Sequence, residues 1–271
     1  NSAEEQNNVA SVLLDQGKLD EATIHFQQAL KLDPGFARAQ QNLGNILCRQ
    51  GRQDEAIPYF EKLIQLNPRF PGTTNLLGKA HSVLGIILCS KGRLDEAIPH
   101  LQKAAELLPG DVTIANLLGG ALFRKGRLDE ALVYTTKALK IHPHANLYHN
   151  LGLILSERGQ VQEAITNFQQ AVKLMPDVPG NHSDLGLAYL KAKRTDEAVR
   201  ELKEALRLNP DAAAPHGFLG SALAEQGQLD AAIAEFREAL RLDPSHVYAR
   251  TNLAAALAKK ENDTKPTAAP R

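Results

Sequence analysis

The chain has 271 residues, 43% of them hydrophobic, and its 31 lysines and arginines balance 31 aspartates and glutamates. A formal charge of zero without a basic stripe argues against a nucleic-acid binder, and no apolar run approaches the roughly 20 residues a membrane helix needs. Two cysteines, Cys48 and Cys89, rule out a disulfide framework. The sequence opens at Asn1 without a methionine and without a signal-peptide pattern, so we expect either processing or a piece cut from a longer chain. The compartment stays open: a soluble protein, with the cytoplasm favoured over an extracytoplasmic site.

The predicted elements come in pairs, and the pairs recur. A turn motif appears as GKLDEA at 17–22 and GRQDEA at 51–56, then twice as KGRLDEA, at 91–97 and 125–131. Looser copies end at Ala164, Ala198 and Ala232, which makes seven. Twelve residues after each final alanine stands a proline, at 34, 68, 109, 143, 176, 210 and 244, with spacings of 34, 41, 34, 33, 34 and 34. A period in this range is the signature of a repeat array.

Each unit reads as two helices. The first carries a stripe such as Leu43, Gly44 and Leu47 and ends at glycine, which takes a left-handed conformation without steric cost. Asp20, Asp54, Asp95 and Asp129 are expected to cap the second helix, with the next glutamate in its first turn. Proline then stops it. Small residues (Ala22 to Ala232, Gly44 to Gly220) let helices approach, and Phe26, Phe60, Phe168 and Phe236 fill the space between turns. No hairpin buries its stripe alone, so the units must stack.

The small and large positions, as in Leu151, Gly152, Leu155, Ala164, Phe168, Ala171 and Pro176, resemble those of the tetratricopeptide repeat (TPR) family. The position where that family usually holds tryptophan is occupied by Gln6, Gln40, His81, Ala115, Tyr148, His182 and His216, so a wetter or looser layer is expected there. The resemblance implies an all-α fold, a right-handed superhelical α-solenoid of seven TPR repeats. They fall at 3–36, 37–70, 78–111, 112–144, 145–178, 179–212 and 213–246, with a capping helix at 247–260 and a disordered tail at 261–271. The 41-residue spacing is 34 plus seven, or two helical turns, so residues 73–90 read as a lengthened first helix; a loop insertion at 71–77 is the alternative.

No residue set points to catalysis, and no cofactor is expected. The turn residues have structural roles. His142, His144 and His149 are the densest histidine group, but two of them belong to a turn and no metal site is read from them. Cys48 and Cys89 hold equivalent positions in adjacent repeats, too far apart to pair. Sequons stand at Asn181 and Asn262.

The resemblance implies that the first helices line a concave groove. Its candidate residues are Asn8, Arg38, Gln41, Asn42, Asn45, Arg49, Asn116, Arg124, His149, Asn150, Asp184 and Asn252. An asparagine amide both donates and accepts, so it can pair with a peptide backbone. Asn8, Asn42, Asn150 and Asn252 share one repeat position, similar to the asparagine ladder of the protein O-GlcNAc transferases, although Val83, Leu117 and Phe218 interrupt it. The bland alternative is that these asparagines bridge helices within the array. A carboxylate clamp is set aside, because Asn7, Ser11 and Val83 stand where that clamp needs lysine, asparagine and arginine. The favoured reading is a non-catalytic scaffold for an extended peptide or partner segment. Self-association end to end, and an arm of a larger enzyme such as a glycosyltransferase, are the other two.

Overall fold

The computed structural model describes residues 2–66 and 73–264. Its described residues form fifteen α-helices and no strand. In order they are α1 (Ala3–Asp15), α2 (Leu19–Leu32), α3 (Ala37–Arg49), α4 (Gln53–Leu66), α5 (Thr73–Ser90), α6 (Leu94–Leu107), α7 (Val112–Arg124) and α8 (Leu128–Ile141). Then come α9 (Ala145–Glu157), α10 (Val161–Leu174), α11 (Pro179–Lys191), α12 (Thr195–Leu208), α13 (Ala213–Glu225), α14 (Leu229–Leu242) and α15 (Val247–Thr264). The array divides into two compact units, Asn1–His142 with α1–α8 and Pro143–Arg271 with α9–α15.

Within each unit, a first helix packs on its own second helix and on the second helix before it. The join is a ring, or a leucine, lying on a bare glycine. A Cβ built on Gly44 would sit 2.9 Å from Phe60, one on Gly152 2.6 Å from Phe168, and one on Gly220 2.7 Å from Phe236. Those three rings and Phe26 are fully buried.

The structure explains the glycine and the charged letters of KGRLDEA. Gly92 and Gly126 have φ of 73° and 72°, and the next amide reaches back to the helix above, Arg93 N to Leu88 O at 2.9 Å and Arg127 N to Leu122 O at 2.9 Å. The arginine pairs with the glutamate three residues on, as in Arg93–Glu96 and Arg127–Glu130, both at 2.7 Å. The lysine bonds the aspartate of the preceding repeat: Lys91 to Asp54 at 2.5 Å and Lys125 to Asp95 at 2.8 Å. Gln226 does the same to Asp196 at 2.7 Å, and Lys260 pairs with Asp230.

Two expectations need correction. Asp20, Asp95 and Asp129 are not helix caps: the caps are Lys18, Arg93 and Arg127, which make no side-chain cap bond, and each aspartate is the second residue inside its helix. Asp54 likewise follows Gln53, the first residue of α4. The tight glycine turn delivers the chain directly into the helix, leaving the carboxylate free to reach the neighbouring repeat. Secondly, residues 261–264 are not tail: α15 runs to Thr264, because no breaker precedes Pro266. Residues 265–271 of that expected tail, and residues 71–72 of the expected insertion, lie outside the described residues. α5 spans 18 residues, against 13 for α3 and α7.

Five of the seven positions lacking tryptophan hold hydrogen-bonded side chains, the exceptions being Ala115 and Tyr148. Gln40 donates to the Pro34 carbonyl at 3.0 Å, and His182 and His216 bond the Pro176 and Pro210 carbonyls at 2.8 and 3.0 Å. The other ring nitrogen meets a residue nineteen positions on, His182 to Glu201 at 2.7 Å and His216 to Glu235 at 2.6 Å. His81 meets His100 at 3.0 Å, and Gln6 accepts from His25 at 2.7 Å. Where an indole would fill the interface by size, these side chains fill it by satisfying their polar atoms.

Candidate functional site

The candidate residues behave differently in the two units. In the second unit they are tied to one another. His149 on α9 bonds Asp184 on α11 at 2.7 Å, and its ring lies 5.7 Å from that of Phe168. Two turns further along the same helices, Lys191 donates to Ser156 at 2.9 Å. Asn252 on α15 donates to Ser221 on α13 at 3.3 Å. These rungs join successive first helices. A cleft of about 420 Å³ between α13, α14 and α15 includes Ser221, Glu225, Tyr248 and Asn252. Several of its polar groups are engaged: Ser221 with Asn252, and Glu225 with Lys193 and Thr195, both at 2.9 Å, while the Tyr248 ring meets Phe218 edge-on. Asn150 is partly buried on α9.

Of the two clefts described, that in the first unit is the larger. A cleft of about 530 Å³ is lined by Gln41 and Asn45 of α3, by Asn75, Lys79, Ser82 and Val83 of α5, and by Leu107, Leu108, Pro109, Gly110 and Asp111 between α6 and α7. It exists because α5 is long. Asn75 and Lys79 stand on or beside its added turns, and Gly78 lets the helix close against α6, a Cβ there meeting Leu108 at 2.6 Å. Leucines and proline make one wall and amides the other. Among the described residues, the side chains of Gln41, Asn45, Asn75, Lys79 and Ser82 make no hydrogen bond or ion pair. Asp111 is occupied at the start of α7, where its carboxylate accepts from Thr113 N at 2.9 Å and Ile114 N at 3.1 Å.

Arg38, Gln41, Asn45 and Arg49 follow one another along α3, with both arginines exposed and Asn42 partly buried beside them. Asn116 is partly buried and Arg124 exposed on α7. Asn8 is exposed on α1, whereas its neighbour Asn7 is buried with its side-chain amide oxygen unpartnered among the described residues. Sequence reasoning misses Asn75 as a site residue; the echo of Asn75-Leu76-Leu77-Gly78 in Asn116-Leu117-Leu118-Gly119 is the signal that could have found it.

Of the two sequons, Asn181 is corrected. It is buried, and its amide donates to the Ala171 and Met175 carbonyls at 3.4 and 3.3 Å, so it presents nothing to a glycosylating enzyme. Asn262 stands exposed on α15. Cys48 and Cys89 are free and half-buried, and burial pushes both thiols up, away from the reactive thiolate. The His144 ring accepts from Asn146 N at 3.3 Å as a helix cap. Among the described residues, no helix is long and apolar enough to cross a membrane.

A family model described as the cilia and flagella-associated protein 70 C-terminal domain, a TPR domain, matches residues 69–269, and a tetratricopeptide-repeat model matches residues 10–71. No curated protein sequence matches. Among solved structures, a chain of the APC/C hetero-tetramer Cut9–Hcn1 superposes with a TM-score of 0.66 at 23% identity over 92% of this chain, a likeness of fold alone. This chain spans only 48% of that one. YrrB, described as a TPR protein with an unusual peptide-binding site, gives 0.57 at 26% identity, covering 70% of this chain and 90% of its own. A thermophilic TPR protein of Thermus thermophilus, TTC0263, gives 0.54 at 25% identity, covering 67% and 99%.

Proposed function

As the chain belongs to the tetratricopeptide-repeat family described as the cilia and flagella-associated protein 70 C-terminal domain, we propose that it is a non-catalytic scaffold that holds an extended peptide segment of a partner protein. The cleft between α3, α5 and the α6–α7 turn is its principal contact. One observation carries this: five polar side chains with no partner among the described residues share that cleft with an apolar wall. Amides that both donate and accept suit a peptide backbone, and Leu107, Leu108 and Val83 suit an apolar side chain. YrrB, a neighbour of similar fold described as having an unusual peptide-binding site, lends support. Asn8, Asn42, Asn116 and Asn150 remain candidates for further backbone pairing. The test is a peptide array probed with the wild type and with Asn45→Ala/Asn75→Ala. We expect at least a tenfold loss of signal on the array's strongest spots; equal signal would remove the cleft from the reading.

A further inference from the structure

The zero net charge of the chain hides a segregation. In the first unit, α3, α5 and α7 contain no aspartate or glutamate; their charged residues are Arg38, Arg49, Lys79 and Arg124. The acids of those repeats lie on the second helices, as Asp54, Glu55 and Glu61 on α4 and Asp95, Glu96 and Glu106 on α6, apart from Asp111, which lines the cleft but has its carboxylate turned to the Thr113 and Ile114 amides at the start of α7. Many are engaged by the turn arginines and lysines. Among the described residues, Arg49, Lys79 and Arg124 have no carboxylate partner. The first helices of the second unit, by contrast, carry Glu157, Asp184 and Glu225.

We propose that the first-helix face of α3, α5 and α7 selects an acidic, apolar-punctuated extended segment, with a side-chain carboxylate at Lys79 and an apolar residue against Leu107 and Leu108. This deepens the scaffold reading and rests on it. Charge complementarity names the occupant. The spacing of the cations favours a run of acidic side chains over a single chain terminus. Arg49, Lys79 and Arg124 stand one each on three successive first helices, spread along the array rather than gathered at one point. A terminal carboxylate needs cations converging at one point, and only Lys79 lines the cleft. A nucleic acid would need stacking platforms, and Phe123 is the sole aromatic among the phenylalanines, tyrosines and tryptophans of these three helices.

The experiment is fluorescence anisotropy on the full chain with an acetylated, amidated dodecamer repeating Glu-Leu-Glu-Ser, beside the same peptide with glutamine for glutamate. We expect the acidic dodecamer to bind at least tenfold tighter and to weaken as salt is raised. Lys79→Glu should lower its affinity at least tenfold, with the far-UV spectrum unchanged because Lys79 is exposed. Lys62→Glu, the same charge change on an exposed site of α4, should leave it within twofold. Equal binding of the glutamine dodecamer, or equal loss in both variants, overturns the acidic selectivity and leaves the scaffold reading standing. Binding only when the C-terminus is a free carboxylate, or displacement by oligothymidylate, overturns the inference in favour of a different occupant. If neither dodecamer binds, the inference and the peptide reading fall together.

Discussion

Gln41 and Asn45 of α3 and Asn75, Lys79 and Ser82 of α5 stand without partners among the described residues, whereas His149 and Asp184, Ser156 and Lys191, and Ser221 and Asn252 are bonded in pairs across successive first helices. Both sets hold comparable places in the same repeat. The difference lies in what the neighbouring repeat offers: Asp184 faces His149 and Ser221 faces Asn252, but among the described residues no equivalent faces Asn45 or Lys79. A side chain already bonded within the protein must give up that bond to hold a ligand, so its net gain is small. One without a partner exchanges only water. The same fold thus serves as brace in one unit and, in our reading, as receptor in the other.

The contrast extends to the core, where it can be broken most forcefully. Phe168 in the second unit and Thr135 in the first occupy the same position of their repeats, and both are fully buried. Phe168→Ala removes a ring packed on Gly152 and should cost about 3–4 kcal/mol in a urea titration; a loss below about 1 kcal/mol would show that the ring does not fix that joint. Next comes the brace itself. Asp184→Ala leaves His149 unpaired at a half-buried site and should cost about 1–2 kcal/mol, whereas Asn45→Ala should stay within about 0.5 kcal/mol. Equal costs would erase the distinction between the units. Thr135 has the opposite sign: its buried hydroxyl has no partner among the described residues, so Thr135→Val, nearly the same shape, should raise stability by about 1 kcal/mol.

The fold was legible because seven prolines and seven turn motifs keep count through the chain, and a helical stripe needs no knowledge of distant residues. The site was legible only in part. The residues of α3 were readable from their positions, but whether a groove amide is engaged depends on a residue 31 or 35 positions away, as for Asn252–Ser221 and His149–Asp184. Aspartate before a helix reads as a cap by local rules, yet Asp54 and Asp95 answer lysines of the following repeat. Asn181 matched a sequon that only burial disqualifies.

A further expected effect concerns the layer that replaces tryptophan, and it is a pH effect. Burial, with His100 and Lys103 alongside, pushes the His81 imidazole down from 6.5 to about 4. Burial also pushes its partner His100 down, against the pull of Glu61 and Glu96. Between about pH 6.5 and 4 the unfolded chain therefore binds a proton at residue 81 that the folded chain refuses. Stability rises with pH wherever the unfolded state holds more protons. The contribution of His81 is thus complete above about pH 6.5 and lost as the pH falls toward 4. Discounted for partial exposure, its size is about 1 kcal/mol. Glutamine in its place has no proton to take up, and the first repeat already shows that pairing, with Gln6 accepting from His25 at 2.7 Å. Urea midpoints at about pH 7.5 and about pH 4.5 should therefore separate the proteins: His81→Gln should lose less stability on acidification than the wild type by about 1 kcal/mol, all other titrating groups being shared. Parallel losses would mean that the ring accepts its proton in the folded state, and that the histidine pair is more open to water than its hydrogen bond implies.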